Sequence, residues 1–390
     1  MLLRQPFSPD AFDQVILGCV NVIADEMNPA RIAALRLGMG EAMTAFTVQI
    51  NCGSGMQSID TAYQYIKEGH SDLILAGGAE ALSHAPLVYN RQAVQFYTNM
   101  FTARTFMAKL KAFASVRPAM FTPVIGLERG LTDPVVELNM GQTAEIVAHV
   151  FGISRRQADE FAAESQNRLA RAQADKVFEG ELEPMFARNG KVYDFDDGVR
   201  PNSSADDLAK LKPAFERPWG KVTPGNSSQI TDGASWVIVA SEEAVQKHGL
   251  TPKAVIRDSQ WSALDPSVMG LGPALCSAEI LKRNSMGLAD IDLWEINEAF
   301  AAQVLGCVAA FKDDAFCREV LHLDGPLGAI PRESLNIDGG AIGLGHPVGA
   351  SGNRIVLHLM NSLKRLGKKR GIASQCVGGG QGGAMLIETV

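Results

Sequence analysis

No apolar stretch of this chain is long enough to cross a bilayer as a helix, and the opening Met1-Leu2-Leu3-Arg4-Gln5-Pro6 lacks the basic and apolar regions of a secretion signal. An excess of basic charge is missing as well. The formal net charge is −7, which leaves no electrostatic footprint for nucleic acid. The six cysteines, at 19, 52, 276, 307, 317 and 376, show neither CxxC nor Cys/His spacing, so no metal ligand set is expected. A cytoplasmic, reduced protein follows from that usage, with thiols free for chemistry. A GxxxxGK[ST] loop is absent too, and the glycine-rich turns are weak candidates for holding phosphate.

What is present is a globular composition, 46% hydrophobic and 20% charged over 390 residues, enough for two or three domains. The chain is organised around Thr47-Val48-Gln49-Ile50-Asn51-Cys52-Gly53-Ser54-Gly55-Met56. An extended segment runs into a cysteine and small residues, and then Met56, Ile59, Tyr63 and Ile66 recur at helical spacing. Strand, tight turn and helix are expected. Cys52 at such a turn would meet unpaired N–H groups and the positive end of a helix dipole, which favour a thiolate. A preceding strand over Phe12–Val20, a helix from about Pro29 to Leu37 and a buried strand over Asp72–Gly78 complete a parallel crossover unit.

Between about Ser83 and Asn202 the apolar period is lost. Arg104, Lys109, Lys111 and Arg117 are mixed with Phe101, Phe106, Met107, Phe113 and Met120, which marks an inserted, partly helical excursion. The simpler expectation is a solvated helix whose Lys and Arg stems cover apolar neighbours. The alternative is contact with a membrane surface or a partner protein. Ser154 should cap a charged helix reaching Lys176, and Thr223–Ser228 is a polar loop before a buried strand at Ala234–Ala240.

The last third repeats the organisation of the first. A strand starts at Lys253–Ile256, a helix covers Ser277–Arg283, and a strand at Ile291–Ile296 leads into Asn297-Glu298-Ala299-Phe300. Gly345-His346-Pro347-Val348-Gly349 precedes a helix with Ile355, Leu359, Leu363 and Leu366 on one face, and a strand over Gly371–Gln375 delivers Cys376 into Val377-Gly378-Gly379-Gly380. An internally duplicated α/β protein is expected, with the strand ends of both halves meeting in one cleft. His346, on a shaped turn, suits a general base for Cys52. Cys376 should be exposed by its glycine run much as Cys52 is. Asn297 could cap the following helix or orient a water in an oxyanion hole.

Asn51-Cys52-Gly53-Ser54-Gly55, Asn297-Glu298-Ala299-Phe300, Gly345–Gly352 and Cys376–Gly382 resemble the four signature blocks of the thiolases, acetyl-CoA C-acyltransferases. The resemblance covers nearly the whole chain. It implies a duplicated thiolase fold: two five-stranded α/β halves in a five-layer αβαβα sandwich, with an inserted loop domain that supplies much of the coenzyme A site. The expected division is residues 1–82 with 229–246 as the N-terminal core, 83–228 as the loop domain and 247–390 as the C-terminal core. No permanently bound cofactor is implied; coenzyme A and acyl-CoA are substrates, and a homodimer or homotetramer is the expected active unit. The resemblance assigns Cys52 as nucleophile, His346 as its base and Cys376 as the second acid/base. One oxyanion hole would be His346 with a water held by Asn297, the other the N–H groups of Cys52 and Gly378. Ser228 matches a serine that contacts the pantetheine of coenzyme A, and Met140 a methionine lining the acyl pocket.

Three departures refine the expectation. Asn139 stands where short-chain acetoacetyl-CoA thiolases carry a histidine before that methionine, which points away from the biosynthetic acetoacetyl-CoA reaction. The Phe-rich basic excursion around residues 95–135 is similar to thiolase subunits of fatty-acid β-oxidation complexes, implying longer 3-ketoacyl-CoA substrates and contact with a partner subunit or a membrane. The strand and Arg-Thr-Pro turn with which the family begins are absent, and a truncated natural chain is expected, with a gap in the middle of the first sheet that unpairs two neighbours. The expected function is therefore degradative thiolysis. The rivals are a biosynthetic thiolase and a non-catalytic coenzyme A-binding or oligomerising relative. A decarboxylating ketosynthase would use two histidines with its cysteine, and nothing matches the sequence context of a cysteine protease.

Overall fold

A computed structural model describes residues 2–390. The first half runs β1 (Gln14–Gly18), α1 (Pro29–Arg36), β2 (Thr44–Val48), α2 (Ser54–Lys67) and β3 (Leu73–Ala81), and β4 (Asp232–Ala240) joins from beyond the excursion. These strands pair in the order β2-β1-β3-β4, with β1 parallel to β2 and β3, and β4 antiparallel to β3. The excursion holds α3 (Arg91–Thr102), α4 (Phe106–Phe113), α5 (Met140–Val150) and α6 (Arg155–Ala174), the last opened by a Ser154/Gln157 capping box. The second half runs β5 (Ala254–Ala263), α7 (Gly272–Arg283), β6 (Leu293–Ile296), α8 (Ala301–Ala310), α9 (Val348–Leu366), β7 (Arg370–Val377) and β8 (Gln381–Thr389). Its sheet has the order β6-β7-β8-β5, parallel between β6 and β7 and antiparallel beyond.

Alternation along the strands divides the core into layers. Val15, Leu73 and Leu75 face outward onto α1 through Ala34, whereas Ile16, Ile74 and Ala76 face inward. The inward set packs on Met56 and Ile59 of α2 and on Ile355, Leu359 and Leu363 of α9, and the same cluster takes in Ala373, Met385 and Ile387 from the second sheet. Ile372, Ala384 and Leu386 point the other way, toward Ile280 of α7 and Val304 of α8. Helix, sheet, paired central helices, sheet and helix make the five layers. No helix among the described residues is long and apolar enough to cross a membrane.

Two expectations about the sheets are corrected. Each sheet has four strands, because the halves share a three-strand centre and extend it on opposite sides. β2 lies outside β1 and β5 lies outside β8, while beyond β6 Leu335 makes a single parallel bridge to Trp294. The first sheet also has no gap in its middle, since β1 pairs with β2 and β3, and β3 pairs with β4 from Leu73 to Ala81. The excursion departs from the simpler expectation as well. Phe101 is 88% and Phe106 78% exposed, and Met107, Phe113 and Phe121 are also open, so Lys and Arg stems do not cover these rings.

The two central helices cross where glycine is required. A Cβ on Gly55 would lie 2.8 Å from the backbone N of Asn353 and the O of Gly349, and one on Gly352 would lie 2.6 Å from the N of Met56. Backbone meets backbone there, at the N-terminal turns that follow Cys52 and His346. Further along α9, buried His358 lies between Glu181 and Asp338, 3.1 and 3.3 Å away. These carboxylates raise its pKa to about 10 against the opposing effect of burial, the largest single influence on it.

Gly55→Ala is expected to destabilise the fold by about 1–3 kcal/mol through overpacking, although alanine is the better helix former. Urea unfolding measures this, and an unchanged midpoint would refute the close crossing. Because His358 is raised in the folded state, its contribution to stability is complete below its ordinary pKa of about 6.5 and is lost as pH rises through about 10. His358→Gln should flatten the loss of stability across that window, a comparison that thermal unfolding against pH makes directly.

Candidate active site

The turn after β2 brings Cys52 to the start of α2. Asn51 adopts a left-handed φ of 45°, Gly53 is the N-cap, and the Ser54 hydroxyl donates to the Asn51 carbonyl oxygen at 2.7 Å. Asn51 also reaches across the molecule, its amide donating to the carbonyl oxygen of Gly378 at 2.8 Å. The glycine turn between β7 and β8 is thereby fastened to the cysteine turn. The N–H groups of Gly378 and of Cys52 itself both address the Cys52 sulfur.

The protonation of Cys52 corrects the expected resting thiolate. Burial, the largest influence, raises its pKa, and Glu80 raises it further, while the two N–H groups only partly offset them. Cys52 rests as a thiol. Cys376 differs from expectation in place as well as in charge. It lies within β7 rather than on the glycine turn and is 1% exposed, packed with Met269, Ala299, Met140 and Phe300. Burial first, and then the nearby Cys52, push its pKa well above the ordinary thiol range.

His346 is positioned by its neighbours in sequence and by one distant loop. Gly345 turns the chain at φ 88°, and the N–H of His346 donates to the Gln229 carbonyl oxygen at 2.9 Å. Its Nδ1 lies 2.6 Å from the Ser351 hydroxyl and 3.5 Å from the Asn297 amide nitrogen. Nε2 is buried with no hydrogen-bond partner among the described residues. Burial, and then the charge of Arg354, lower the pKa to about 4, so the ring is neutral and Nε2 is the nitrogen left to act. An unpartnered buried nitrogen costs stability and marks a place where a ligand completes the bonding.

The remaining elements tie these groups together. The N–H of Asn297 donates to the Ser374 carbonyl, two residues before Cys376. The N–H of Ser228 donates to the Ala299 carbonyl, so one loop holds both the Asn297–Phe300 turn and His346. Glu298 is fully buried and accepts from Ser165, Asn336 and the N–H of Ile342, which fixes the approach to His346 and leaves no free carboxylate at the site. Glu80 accepts from the N–H groups of Val20, Asn21 and Gly349, joining β3 to the turn after His346. Met140 opens α5 beside Gly378, its sulfur 3.3 Å from where a Cβ on that glycine would stand. Asn139 has a local reason: it caps α5 in a capping box with Gln142.

The structure thus gathers Cys52, Cys376, Gly378 and Met140 around one end of the sheets and joins Asn297, His346 and Ser228 to them through short backbone bonds. Sequence reasoning missed Ser351, Asn51 and Glu80 as supports. Ser351 carried a signal, lying five residues beyond His346 in the first turn of the predicted helix, whereas the reach of Asn51 to Gly378 had none. Chemically, the site offers a half-buried thiol with two N–H donors on its sulfur, a buried second thiol beside it and a neutral imidazole with one open nitrogen.

Comparison with known proteins identifies the family. Residues 1–243 match the thiolase N-terminal domain and residues 250–389 the thiolase C-terminal domain. A probable acetyl-CoA acyltransferase of Staphylococcus epidermidis is 37% identical over 99% of this chain and 90% of its own length, and one of Staphylococcus aureus is 38% identical over 97% and 88%. Among solved structures, the acetyl-CoA acetyltransferase of Bacillus anthracis is 35% identical with a TM-score of 0.84, covering 100% of this chain and 90% of that one. Human mitochondrial 3-ketoacyl-CoA thiolase, solved also in complex with CoA, is 36% identical at the same TM-score, again over the whole of this chain and nine-tenths of its own. With both family domains matched in order and the thiolase fold present, this chain belongs to the thiolase family and is an acyltransferase.

Proposed function

We propose that this thiolase moves acyl groups between 3-ketoacyl-CoA and coenzyme A through an acyl-enzyme on Cys52, in the degradative direction. The observation that carries the reading is the open Nε2 of a neutral His346, on a ring whose other nitrogen Ser351 holds. A thiol does not attack as it stands, so His346 takes the Cys52 proton. The thiolate adds to the 3-keto carbon, and the bond between carbons 2 and 3 breaks with its electrons on the acetyl-CoA fragment. Cys376, protonated because it is buried, delivers a proton to that carbanion. Its thiolate then takes the proton of an incoming coenzyme A, whose sulfur attacks the Cys52 thioester and releases the shortened acyl-CoA, while the departing Cys52 thiolate recovers its proton from His346. The N–H groups of Cys52 and Gly378 stabilise the oxyanion at one carbonyl, and Asn297 with His346 does so at the other.

The excursion between β3 and β4 forms the loop domain that receives coenzyme A, with Ser228 toward the pantetheine and Met140 lining the acyl pocket. Asn139, standing where short-chain acetoacetyl-CoA thiolases carry a histidine, supports 3-ketoacyl substrates longer than acetoacetyl-CoA, and the human relative is named a 3-ketoacyl-CoA thiolase. The enzyme acts in the cytoplasm as a homodimer or homotetramer. Its α3–α4 region contacts a β-oxidation partner subunit or a membrane surface: no Asp or Glu occurs between Glu80 and Glu128, and the exposed rings are interspersed with Arg104, Lys109, Lys111 and Arg117.

Thiolysis followed across 3-ketoacyl-CoA chain lengths tests the reading, with Cys52→Ala expected to abolish turnover at every length. Equal turnover by this variant would remove Cys52 from the mechanism. Cys376→Ala should slow thiolysis by about 10²–10⁴-fold while Cys52 is still alkylated by iodoacetamide. Co-sedimentation with anionic vesicles addresses the exposed helices. Capture that Phe101→Ser with Phe106→Ser leaves intact would rule out membrane contact through these rings.

A further inference from the structure

Arg354 has no part in the steps above, yet it lies between the acyl-transfer site and a buried acidic cluster. Strand alternation places Leu293, Glu295 and Asn297 on the face of β6 that is turned to α9, where Leu293 packs in the central layer. Ser351, Arg354 and His358 recur three and four residues apart along α9, so they share a face of that helix. Ser351 meets His346 at one end of this row, and His358 meets Asp338 and Glu181 at the other. Between them the Arg354 Nη2 lies 3.5 Å from Oδ1 of Asn297, and its Nε is buried without a partner among the described residues. The contact is long, as hydrogen bonds of catalytic groups are before substrate tightens them.

We infer that Arg354 is a positioning residue for acyl transfer: its guanidinium holds the Asn297 carbonyl oxygen, so that the Asn297 amide N–H groups stay turned toward His346 and the reacting carbonyl. The reason is chemical. The two ends of an asparagine amide have nearly the same shape and exchange by a half-turn. An oxyanion needs the nitrogen end, because the oxygen end would repel it. His346 does not settle the choice, since its Nδ1 is already engaged by Ser351 at 2.6 Å. Arginine has donors only and accepts nothing, so beside it the amide oxygen is the end that fits.

The same cation acts on His346. Glu295 from β6, and Glu181 and Asp196 from the segment after α6, share the field of Arg354, and His358 on α9 faces Glu181 and Glu295 of the same cluster. At His346, Arg354 is the charge that adds to burial in keeping the imidazole neutral. One residue thereby orients a donor and keeps a base ready.

The inference rests on Asn297 facing the reacting carbonyl, and thiolysis kinetics against pH separate the two claims. Arg354→Gln is expected to lower kcat about 10²-fold, the cost of a misplaced group, with little change in KM for coenzyme A. Its acid limb should move to higher pH, because a neutral glutamine no longer opposes protonation of His346. Arg354→Lys keeps the charge and loses the planar fork, so its acid limb should stay in place while kcat remains below the parent value. Parent kcat in Arg354→Lys, or an unmoved acid limb in Arg354→Gln, overturns the inference. If the glutamine variant does not fold, the lysine variant decides alone on kcat and acid limb. Full activity in Asn297→Ala removes the oxyanion reading itself, whereas an impaired Asn297→Ala beside fully active Arg354 variants removes only the role of Arg354.

Discussion

Everything at the active site depends on how closely two helices cross. α2 and α9 pass with backbone against backbone at Gly55 and Gly352, and Gly349 sits against the Ala79 carbonyl oxygen and the Glu80 carboxylate, where a Cβ would come within 3 Å of both. Ordinary helix pairs keep their axes 8–10 Å apart because side chains fill the space between them. Removing those side chains lets the N-terminal turns of the two helices approach. The residues just ahead of those turns, Cys52 and His346, then share one end of the molecule although they lie in different halves of the duplicated fold.

Burial sets the protonation of every reacting group, and it does so in a consistent direction. It raises both thiols and lowers the imidazole, so each group rests in its uncharged form. A site of neutral groups tolerates a dry cleft without paired charges. Charge then appears only when a proton moves, and the fixed N–H groups of Cys52 and Gly378 are already aimed at the place where it develops. The charged groups, Arg354 with Glu181 and Asp338, are set further back, around α9.

Much of this was legible in the residues. Apolar runs and periods located β3 and α9, and the cap Ser154 began α6 where expected. Cys52, His346 and Cys376 stood out because glycine flanked each of them. Less was legible about exposure. Cys376 lies inside a strand, and its glycines shape the following turn rather than opening the sulfur to solvent. Sheet extent was misjudged for a related reason: which edge a strand joins is decided by pairing partners far along the chain. The first sheet is therefore continuous where a central gap was expected.

The sequence by itself determined what was local: the alternation that makes strands, the glycines that permit tight turns, the reactive residues placed on them and the duplication that pairs the halves. Only the tertiary structure decided protonation states and supports, because desolvation and hydrogen bonding across 327 positions, as between Asn51 and Gly378, depend on neighbours brought together by folding. A cysteine at a helix N-terminus reads as a thiolate from its own turn. The layers packed over it make it a thiol.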